Sequence, residues 1–243
     1  MLFVGLPGVG FASKLAVDHL VKQLKAQRIG TVYSPHFPNQ VVATNKGNLK
    51  AFTLKFYYVK VKNKHVFFLK GDLQPLTVEG QYEVTAKALQ FFKEAGGQNV
   101  YAMAGLVTHP GEKDRAIYAS STHKKQLKEL KKTIGSKVHN NYVPIMGMAG
   151  LVPTLSPLYG LTGTCLLVET TGEPIDSVAA SKLVEVVGKM IGKKIPIEQL
   201  KKKAEQAKAN LEQLNKQQTQ MQEQPAIPGA APVLPKDSLR YIR

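Results

Sequence analysis

The first 24 residues constrain the fold more than any other part of the chain. A short apolar run, Met1 to Val4, leads into a glycine-rich turn from Gly5 to Gly10, and an amphipathic pattern from Phe11 to Leu24 predicts a helix. A strand, a glycine turn and a helix in this order are typical of the start of an α/β domain. Nucleotide-binding folds place their phosphate loop at the same point, so the first question is whether this turn binds an anion.

A P-loop is the first phosphate-binding motif to compare with this turn. It requires the pattern Gly-x4-Gly-Lys-Ser/Thr, because its lysine contacts the terminal phosphates of the nucleotide. Gly5 and Gly10 have the required spacing, but Phe11 and Ala12 stand where lysine and serine or threonine are needed. The turn therefore lacks the side chains on which P-loop chemistry depends.

A dinucleotide-binding loop is the second motif to compare, and it requires Gly-x-Gly-x-x-Gly/Ala followed by an acid about 20 residues later. Gly8, Gly10 and Ser13 match loosely, but the next predicted strand, Ile29 to Tyr33, is not followed by an acid. The favoured interpretation is that the glycines permit a tight turn and close helix packing. Helix amides would still attract an anion, so Gly5, Gly8 and Gly10 are predicted as the anion-binding loop if the chain has one.

Composition limits the class of protein. The chain has 243 residues, 43% of them hydrophobic, which suits one sizeable domain with a tail or two small domains. Its single cysteine, Cys165, excludes a disulfide framework and a cysteine-based zinc site, and its apolar surroundings predict a buried strand. No histidine pair has metal-ligand spacing, so no metal site is predicted. No signal peptide or membrane-spanning run is visible, which favours a cytoplasmic protein.

The net charge of +16 favours acidic partners, either nucleic acid or an acidic protein face. Lysine supplies most of this charge and is spread through the chain, whereas only four arginines occur. Specific RNA recognition usually adds aromatic side chains or an arginine cluster. A solvated lysine-rich surface is therefore the favoured interpretation, and nucleic acid is the less favoured partner.

Alternating strands and helices predict an α/β sandwich with a buried central sheet. The strand pair from Leu49 to Leu69 adds antiparallel pairing, so the sheet is predicted to be mixed. In the helix predicted over residues 77–95, Val78, Tyr82, Leu89 and Phe92 share one apolar face. Besides the first helix, helices are predicted at 77–95, 124–134 and 176–191, and strands at 29–33, 54–61, 65–69, 100–107, 116–120 and 164–169.

The chain divides into three predicted regions. Residues 1–192 form the α/β core, and residues 193–224 carry apolar side chains spaced by three and four, a heptad pattern that predicts a helix packed on another helix. Residues 225–243 form a Pro/Ala linker, predicted to be extended and mobile, with a terminal tail. The heptad positions are Ile197, Leu200, Ala204, Ala207, Leu211 and Leu214.

Four ordered blocks stand out along the chain: Gly5 to Gly10, Lys14 to Val21, Gly147 to Val152 and Gly163 to Glu169. Together they resemble the proteasome assembly chaperone family, in the archaeal form related to the second eukaryotic assembly chaperone. The resemblance covers about residues 1–192. It implies a three-layer α/β sandwich similar to nucleoside phosphorylases, with a mixed central sheet. It also implies an oligomeric chaperone or adaptor without known catalysis that binds proteasome α-type subunits or a related partner.

The family resemblance directs attention to the C-terminus, where some relatives dock through a hydrophobic-Tyr-X motif. Here Tyr241 fills the hydrophobic position, but Ile242 stands where the tyrosine belongs, before Arg243. A mobile linker would still present apolar side chains and a free carboxylate to a pocket. We therefore predict Leu239, Tyr241, Ile242 and Arg243 as partner-binding residues. The alternative is that this segment packs on its own oligomer.

No catalytic residue and no cofactor are predicted. The run Ser120 to His123 contains a nucleophile and a base, but no Gly-x-Ser-x-Gly elbow accompanies it. Glu79 and Glu83 share a helix face, which is more typical of a solvated surface than of acid/base work. The apolar segment Ile145 to Gly163 fits either an exposed oligomer interface or a buried element.

Three functions remain in view from the sequence. The favoured one is a non-enzymatic proteasome assembly chaperone homologue or adaptor that forms a homo-oligomer. The first alternative is a nucleoside- or phosphate-binding enzyme on a phosphorylase-like fold, with an anion held by the amides of Gly8 to Ala12. The second is an RNA-associated basic protein, which a steep salt dependence of RNA binding would reveal.

Overall fold

A mixed seven-stranded sheet forms the centre of the computed structural model, which describes residues 1–108, 115–139, 142–200 and 202. The strands are β1 (Leu2–Gly5), β2 (Gln27–Val32), β3 (Val41–Ala43), β4 (Leu49–Ala51), β5 (Leu54–Val61), β6 (Lys64–Gly71), β7 (Asn99–Val107), β8 (Ile117–Ser121) and β9 (Thr162–Thr170). The order across the sheet is β2-β5-β6-β1-β7-β9-β8, and β3 and β4 form a separate hairpin.

The sheet is parallel at its centre and antiparallel at both sides. Strands β6, β1, β7 and β9 run parallel, whereas β5 pairs antiparallel with both β6 and β2, and β8 pairs antiparallel with β9. All four residues of β1 are buried, as expected for a strand covered on both faces. The predicted mixed sheet is therefore confirmed. The antiparallel pair predicted within 49–69 is β5 with β6, whereas Leu49–Ala51 belongs to the separate hairpin.

In the described part of the chain, the two faces of the sheet are covered by α1 (Ala12–Gln23), α2 (Val78–Glu94), α3 (Lys124–Ile134), α4 (Met148–Leu155) and α5 (Ser177–Ile191). Helices α1, α3 and α5 share one apolar cluster with one face of the sheet, and α2 and α4 share another with the opposite face. Phe3 contributes to the first cluster and Val4 to the second, because successive side chains of a strand point to opposite faces. The predicted three-layer α/β sandwich is thus confirmed.

The chain continues to pack on the α1/α5 layer after α5 ends. Ile195 and Leu200 are buried in that cluster, and Ile197 packs against it. These residues belong to a compact unit, Met1–Gln206, whereas a second unit, Ala207–Arg243, lies outside the described residues. The boundary predicted at 192/193 stays a prediction, as do the later part of the heptad helix and the tail, which fall outside the described part of the chain.

The apolar segment between 145 and 163 divides into a buried and an exposed part. Met148 and Val152 of α4 are buried between the sheet and α2, whereas Met146 and Leu158 are exposed. The interpretation as a buried element therefore holds for Met148 and Val152, whereas an oligomer interface at the exposed side chains stays a prediction. Among the helices that the structure describes, none combines the length and the apolar composition needed to cross a bilayer.

Candidate functional site

The glycine-rich turn follows β1 and is packed closely against its neighbours. Gly10 has a positive φ of 66°, and a Cβ at this position would lie 2.6 Å from Thr170 Oγ1. A Cβ on Gly5 would lie 2.4 Å from the Ser13 carbonyl oxygen. Gly8 differs, because its backbone is extended and a Cβ there would meet nothing within 4 Å. The glycines at 5 and 10 therefore serve close packing of the turn.

A buried polar network holds this turn against the start of α5. The backbone amide of Asp176 donates to the Gly10 carbonyl oxygen at 2.8 Å. The carboxylate of Asp176 accepts from Thr170 Oγ1 at 2.8 Å and from the Ala179 amide at 2.9 Å, so it caps the helix. Arg115 Nη2 lies 3.5 Å from Oδ2 of the same carboxylate, and both side chains are buried. The turn thus depends on an ion pair beneath it.

Two lysines close to the turn are already matched by carboxylates. The Lys14 ammonium pairs with Asp18 and lies 3.4 Å from Asp72 Oδ1. Lys70, the strand neighbour of Gly5, also pairs with Asp18. A terminal phosphate is normally met by a cation, and these two cations are balanced by the protein's own carboxylates. The electrostatics beside the turn therefore do not resemble those of a P-loop.

An open cleft of about 540 Å³ lies at the carboxyl ends of β1, β7 and β9. In open α/β sheets, ligands bind at this edge. Apolar side chains and backbone form most of the lining, including residues 143–147 on one side and Leu76 on the other. In the part of the chain that the structure describes, no charged side chain and no histidine lines the cleft.

The three polar side chains in the cleft, those of Ser13, Gln74 and Gln81, are bonded to the protein backbone. The Ser13 hydroxyl donates at 2.7 Å, and the amide groups of Gln74 and Gln81 donate at 2.8 and 3.2 Å. The Gln74 side-chain oxygen also accepts from the Met148 amide at 3.0 Å. The cleft therefore presents apolar surface, and anion binding by Gly5, Gly8 and Gly10 stays a prediction. The three acceptors are the carbonyl oxygens of Leu6, Pro7 and Pro75.

In the run from Ser120 to His123, neither serine hydroxyl is hydrogen-bonded to the His123 imidazole, and the hydroxyl of Thr122, which is, also donates to the Gly163 carbonyl oxygen at 3.2 Å. The Ser121 hydroxyl donates to the Gly163 carbonyl oxygen at 3.0 Å, and His123 Nδ1 lies 3.0 Å from the hydroxyl oxygen of its neighbour Thr122. Nucleophilic catalysis needs the base within hydrogen-bond reach of the nucleophile and a third group to orient it. The hydroxyl of Ser121 is engaged with backbone instead.

The other titratable side chains considered from the sequence are either buried or in contact with groups of the protein itself. Cys165 lies in β9, and burial raises the pKa of its thiol to about 12, so that the reactive thiolate is disfavoured. Glu83 Oε2 lies 3.3 Å from His36 Nε2, and His19 Nε2 lies 2.6 Å from the Pro196 carbonyl oxygen. Across the described ranges, no group of three or more His, Cys, Asp and Glu side chains could hold a metal ion.

The cleft has an exposed apolar rim, whose side chains the sequence pattern placed on the same helix face as buried core residues. We define the α2 rim as residues 72–83, which are the loop after β6 and the first turns of α2. Leu89 and Phe92 of the predicted apolar helix face are buried, but Val78 and Tyr82 are exposed. Periodicity could identify the apolar stripe, but it could not show that the stripe continues beyond the edge of the sheet.

A basic face is formed by α3 and the residues after it. Between His123 and His139 the sequence has six lysines and one glutamate, which gives 6 − 1 = +5 in 17 residues. All six lysines are exposed, and no carboxylate of the described residues forms an ion pair with any of them. The lysines are Lys124, Lys125, Lys128, Lys131, Lys132 and Lys137.

The predicted partner-binding residues of the tail are not part of this geometry. Leu239, Tyr241, Ile242 and Arg243 lie outside the described residues, so their role stays a prediction. Within the described residues, the apolar cleft with its α2 rim and the basic α3 face are the candidate functional surfaces.

Comparison with known proteins gives consistent matches along the chain. The model of the PAC2 family matches residues 2–215. An uncharacterized protein of Methanocaldococcus jannaschii is 29% identical over 244 residues, covering 100% of this chain and 92% of its own length.

Solved structures of similar fold include two proteins of Pyrococcus furiosus. PbaB, described as an archaeal proteasome activator, has a TM-score of 0.78 and 29% identity, with 88% of this chain and 92% of PbaB covered. PbaA, described as an archaeal homolog of proteasome-assembly chaperone, has a TM-score of 0.74 and 26% identity, with 91% and 94% covered.

Proposed function

The chain belongs to the PAC2 family, and from that premise we propose that it is a non-enzymatic proteasome assembly chaperone homologue or adaptor. It forms a homo-oligomer in the cytoplasm and binds proteasome α-type subunits or a related complex. The observation that carries this proposal is the likeness, over about nine-tenths of the chain, to PbaB and PbaA. Their descriptions concern proteasome activation and proteasome assembly.

The geometry of the cleft supports a binding role over a chemical one. Enzyme clefts at this edge of an α/β sheet combine apolar walls with a few convergent polar groups. Here the polar side chains of Ser13, Gln74 and Gln81 donate hydrogen bonds to backbone carbonyl oxygens of the protein itself. The exposed apolar side chains lie on the rim. Exposed apolar groups beside a groove are typical of a protein contact surface.

We propose that the tail makes the proteasome contact, with Tyr241, Ile242, Arg243 and the terminal carboxylate entering a pocket. Deleting residues 239–243 tests this in a pull-down with purified 20S proteasome α subunits. We expect at least about tenfold weaker binding, since the anchoring side chains of an interface dominate its affinity. Unchanged binding by the deleted chain would reject the tail as the contact.

A matched variant sharpens the same experiment. Ile242→Tyr supplies the tyrosine that the hydrophobic-Tyr-X motif requires, without changing the length or the charge of the tail. If the tail docks as in the family motif, Ile242→Tyr binds the α subunits more tightly than the natural chain. Equal binding of both chains would indicate that the tail uses a different contact.

The basic α3 face favours one second candidate, an RNA-associated role. Its +5 charge in 17 residues exceeds the chain average, because +16 over 243 residues corresponds to about +1 per 17 residues. Phosphate binding by n lysines gives a salt slope near −0.7n for single strands. Fluorescence titration of a 20-nucleotide RNA at several salt concentrations tests this: a slope near zero rejects RNA binding.

A further inference from the structure

The β3–β4 hairpin carries an apolar face that is open to solvent. We define the arm as residues 39–51, which contain both strands and their turn. Val41 pairs with Ala51, and Ala43 pairs with Leu49, so these four side chains share one face of the hairpin. Val41 is 58% exposed and Leu49 is 73% exposed, and every residue of both strands is exposed.

An arm of this kind needs a partner to be well ordered. A two-stranded hairpin alone is marginally stable in water, and an antiparallel sheet normally packs its apolar face on a core. The opposite face of the arm presents Val42 and Lys50, which pair with each other, so the two faces differ clearly in character. The apolar face is therefore the contact surface of the arm.

The α2 rim and the arm carry charges of opposite sign, and both expose apolar side chains. Leu76 and Val78 are each 68% exposed on the rim, beside the cleft, and the arm is a hairpin separate from the seven-stranded sheet. From residue 72 to 83 the sequence has three acids and no basic side chain, whereas the arm has two lysines and no acid. The acids are Asp72, Glu79 and Glu83, and the lysines are Lys46 and Lys50.

The two surfaces are neighbours in one chain, but they do not cover each other. The Leu76 amide donates to the His36 carbonyl oxygen at 2.9 Å, and His36 Nδ1 lies 2.8 Å from Thr77 Oγ1, so the segment before the arm is attached to the rim. Despite this attachment, Val78 of the rim and Val41 of the arm both stay exposed. Contacts within one chain therefore leave the apolar side chains of both the arm and the rim exposed.

We propose that the arm of one protomer packs on the α2 rim of a second copy, and that the rim of the first receives the arm of the second. A two-fold contact of this kind uses the same surface on both protomers and satisfies arm and rim together. Lys46, in the turn of the arm, then faces Glu79 across the interface, whereas Lys50 lies on the opposite face of the hairpin and Glu83 contacts His36 of its own chain. This inference rests on the homo-oligomer of the proposed function and names its interface.

Charge reversal with complementation tests the pairing of arm and rim. The arm variant carries Lys46→Glu, and the rim variant carries Glu79→Lys. Sedimentation equilibrium of the full chain at about 50 mM salt, where screening is weak, measures self-association. We expect each variant alone to associate at least about tenfold more weakly, because like charges then face each other.

Mixing the two variants gives the decisive measurement. Each arm of one variant then meets an oppositely charged rim of the other, so we expect association within about threefold of the natural chain. A mixture that associates no better than its components overturns the proposal. Asp72 and Glu83 are left unchanged because they contact Lys14 and His36 of the same chain. Lys50 is left unchanged because it lies on the face opposite the contact.

The apolar contact is tested by two neighbouring positions on opposite faces of β3. Val41→Asp places a charge on the proposed contact face, and Val42→Asp places the same charge on the other face of the same strand. We expect Val41→Asp to weaken association at least about tenfold and Val42→Asp to change it less than threefold. Circular dichroism checks that both variants fold.

The remaining outcomes separate this inference from the proposed function. Association that is unchanged in Val41→Asp and in the charge variants overturns the arm–rim contact and leaves the homo-oligomer standing. A natural chain that is monomeric at all concentrations overturns both. Val41→Asp could instead lower binding to 20S α subunits and leave self-association unchanged. That result would assign the arm to the proteasome partner and would also overturn the contact proposed here.

Discussion

The glycine-rich turn and the β3–β4 arm lie at the same end of the sheet, but they are built in opposite ways. Val32, at the end of β2, pairs with Leu54 of β5, which in turn pairs with Gly71 of β6. The residue of β6 before Gly71 is Lys70, and it pairs with Gly5 at the end of β1. The turn is attached to a buried ion pair and leaves no room for side chains at two of its glycines. The arm has no buried residue in either strand.

This difference separates stability from association. A substitution in the turn disturbs buried groups, and such groups account for the large losses of folding free energy. A substitution in the arm disturbs only exposed groups, so its effect belongs to contacts with other molecules. The predictions below challenge this contrast, and they begin with the most buried group.

Asp176→Ala is expected to give the largest effect, a loss of about 3–5 kcal/mol in the free energy of unfolding. The substitution removes the carboxylate that faces the buried Arg115 and the helix cap at the Ala179 amide. Urea unfolding followed by circular dichroism measures the loss. Asp176→Asn keeps an oxygen for the cap but removes the charge, so its free energy of unfolding should lie between those of the natural chain and Asp176→Ala. A loss below about 1 kcal/mol for Asp176→Ala would show that the network does not hold the turn.

Gly10→Ala is expected to cost about 2–3 kcal/mol, because its positive φ disfavours alanine and the added Cβ would crowd Thr170. Gly8→Ala is the matched control two residues away, where the backbone is extended and the space is open. We expect the control to change stability by no more than about 0.5 kcal/mol. Equal losses in thermal or urea unfolding would contradict the close packing inferred at Gly10.

Local patterns predicted much of the fold. The strand predicted at 54–61 and the helix predicted at 124–134 have the observed bounds of β5 and α3, because continuous β patterning and a sharp amphipathic period are local signals. The family resemblance carried by Gly5 to Gly10 is confirmed by the PAC2 match over residues 2–215. Helix α4 was left open, because its glycine and proline content weakens helix propensity and its position depends on packing against α2 and the sheet.

The candidate site was less predictable, since it depends on contacts between distant residues. The start of a helix at Asp176 was predicted from sequence, but the pairing of Asp176 with Arg115 joins residues 61 positions apart. The sequence predicted a strand pair from Leu49 to Leu69, but not that Leu49–Ala51 pairs with Val41–Ala43 in a hairpin of its own. That its strands stand clear of the core follows from tertiary structure, because the same alternating pattern would also suit a buried strand.

Thr77→Ala tests the boundary between the two regions, because Thr77 caps α2 at the base of the rim. Its hydroxyl oxygen accepts from the Gly80 amide at 3.0 Å, so its removal should cost about 1 kcal/mol of unfolding free energy. Thr77→Ser keeps the hydroxyl and should lose much less. Urea unfolding compares the two, and equal losses would mean that the methyl group rather than the cap stabilises the helix.

Val41→Asp is expected to have the smallest effect on folding, within about 0.5 kcal/mol of the natural chain when unfolding is measured at a protein concentration low enough to give monomers. The arm can open locally without unfolding the sheet, since none of its strand residues is buried. At high concentration the natural chain gains stability from association by mass action, whereas Val41→Asp does not. The difference in unfolding free energy between the two chains should therefore grow with concentration. A difference that is large and independent of concentration would place Val41 in the folding core and would remove the contrast between arm and turn.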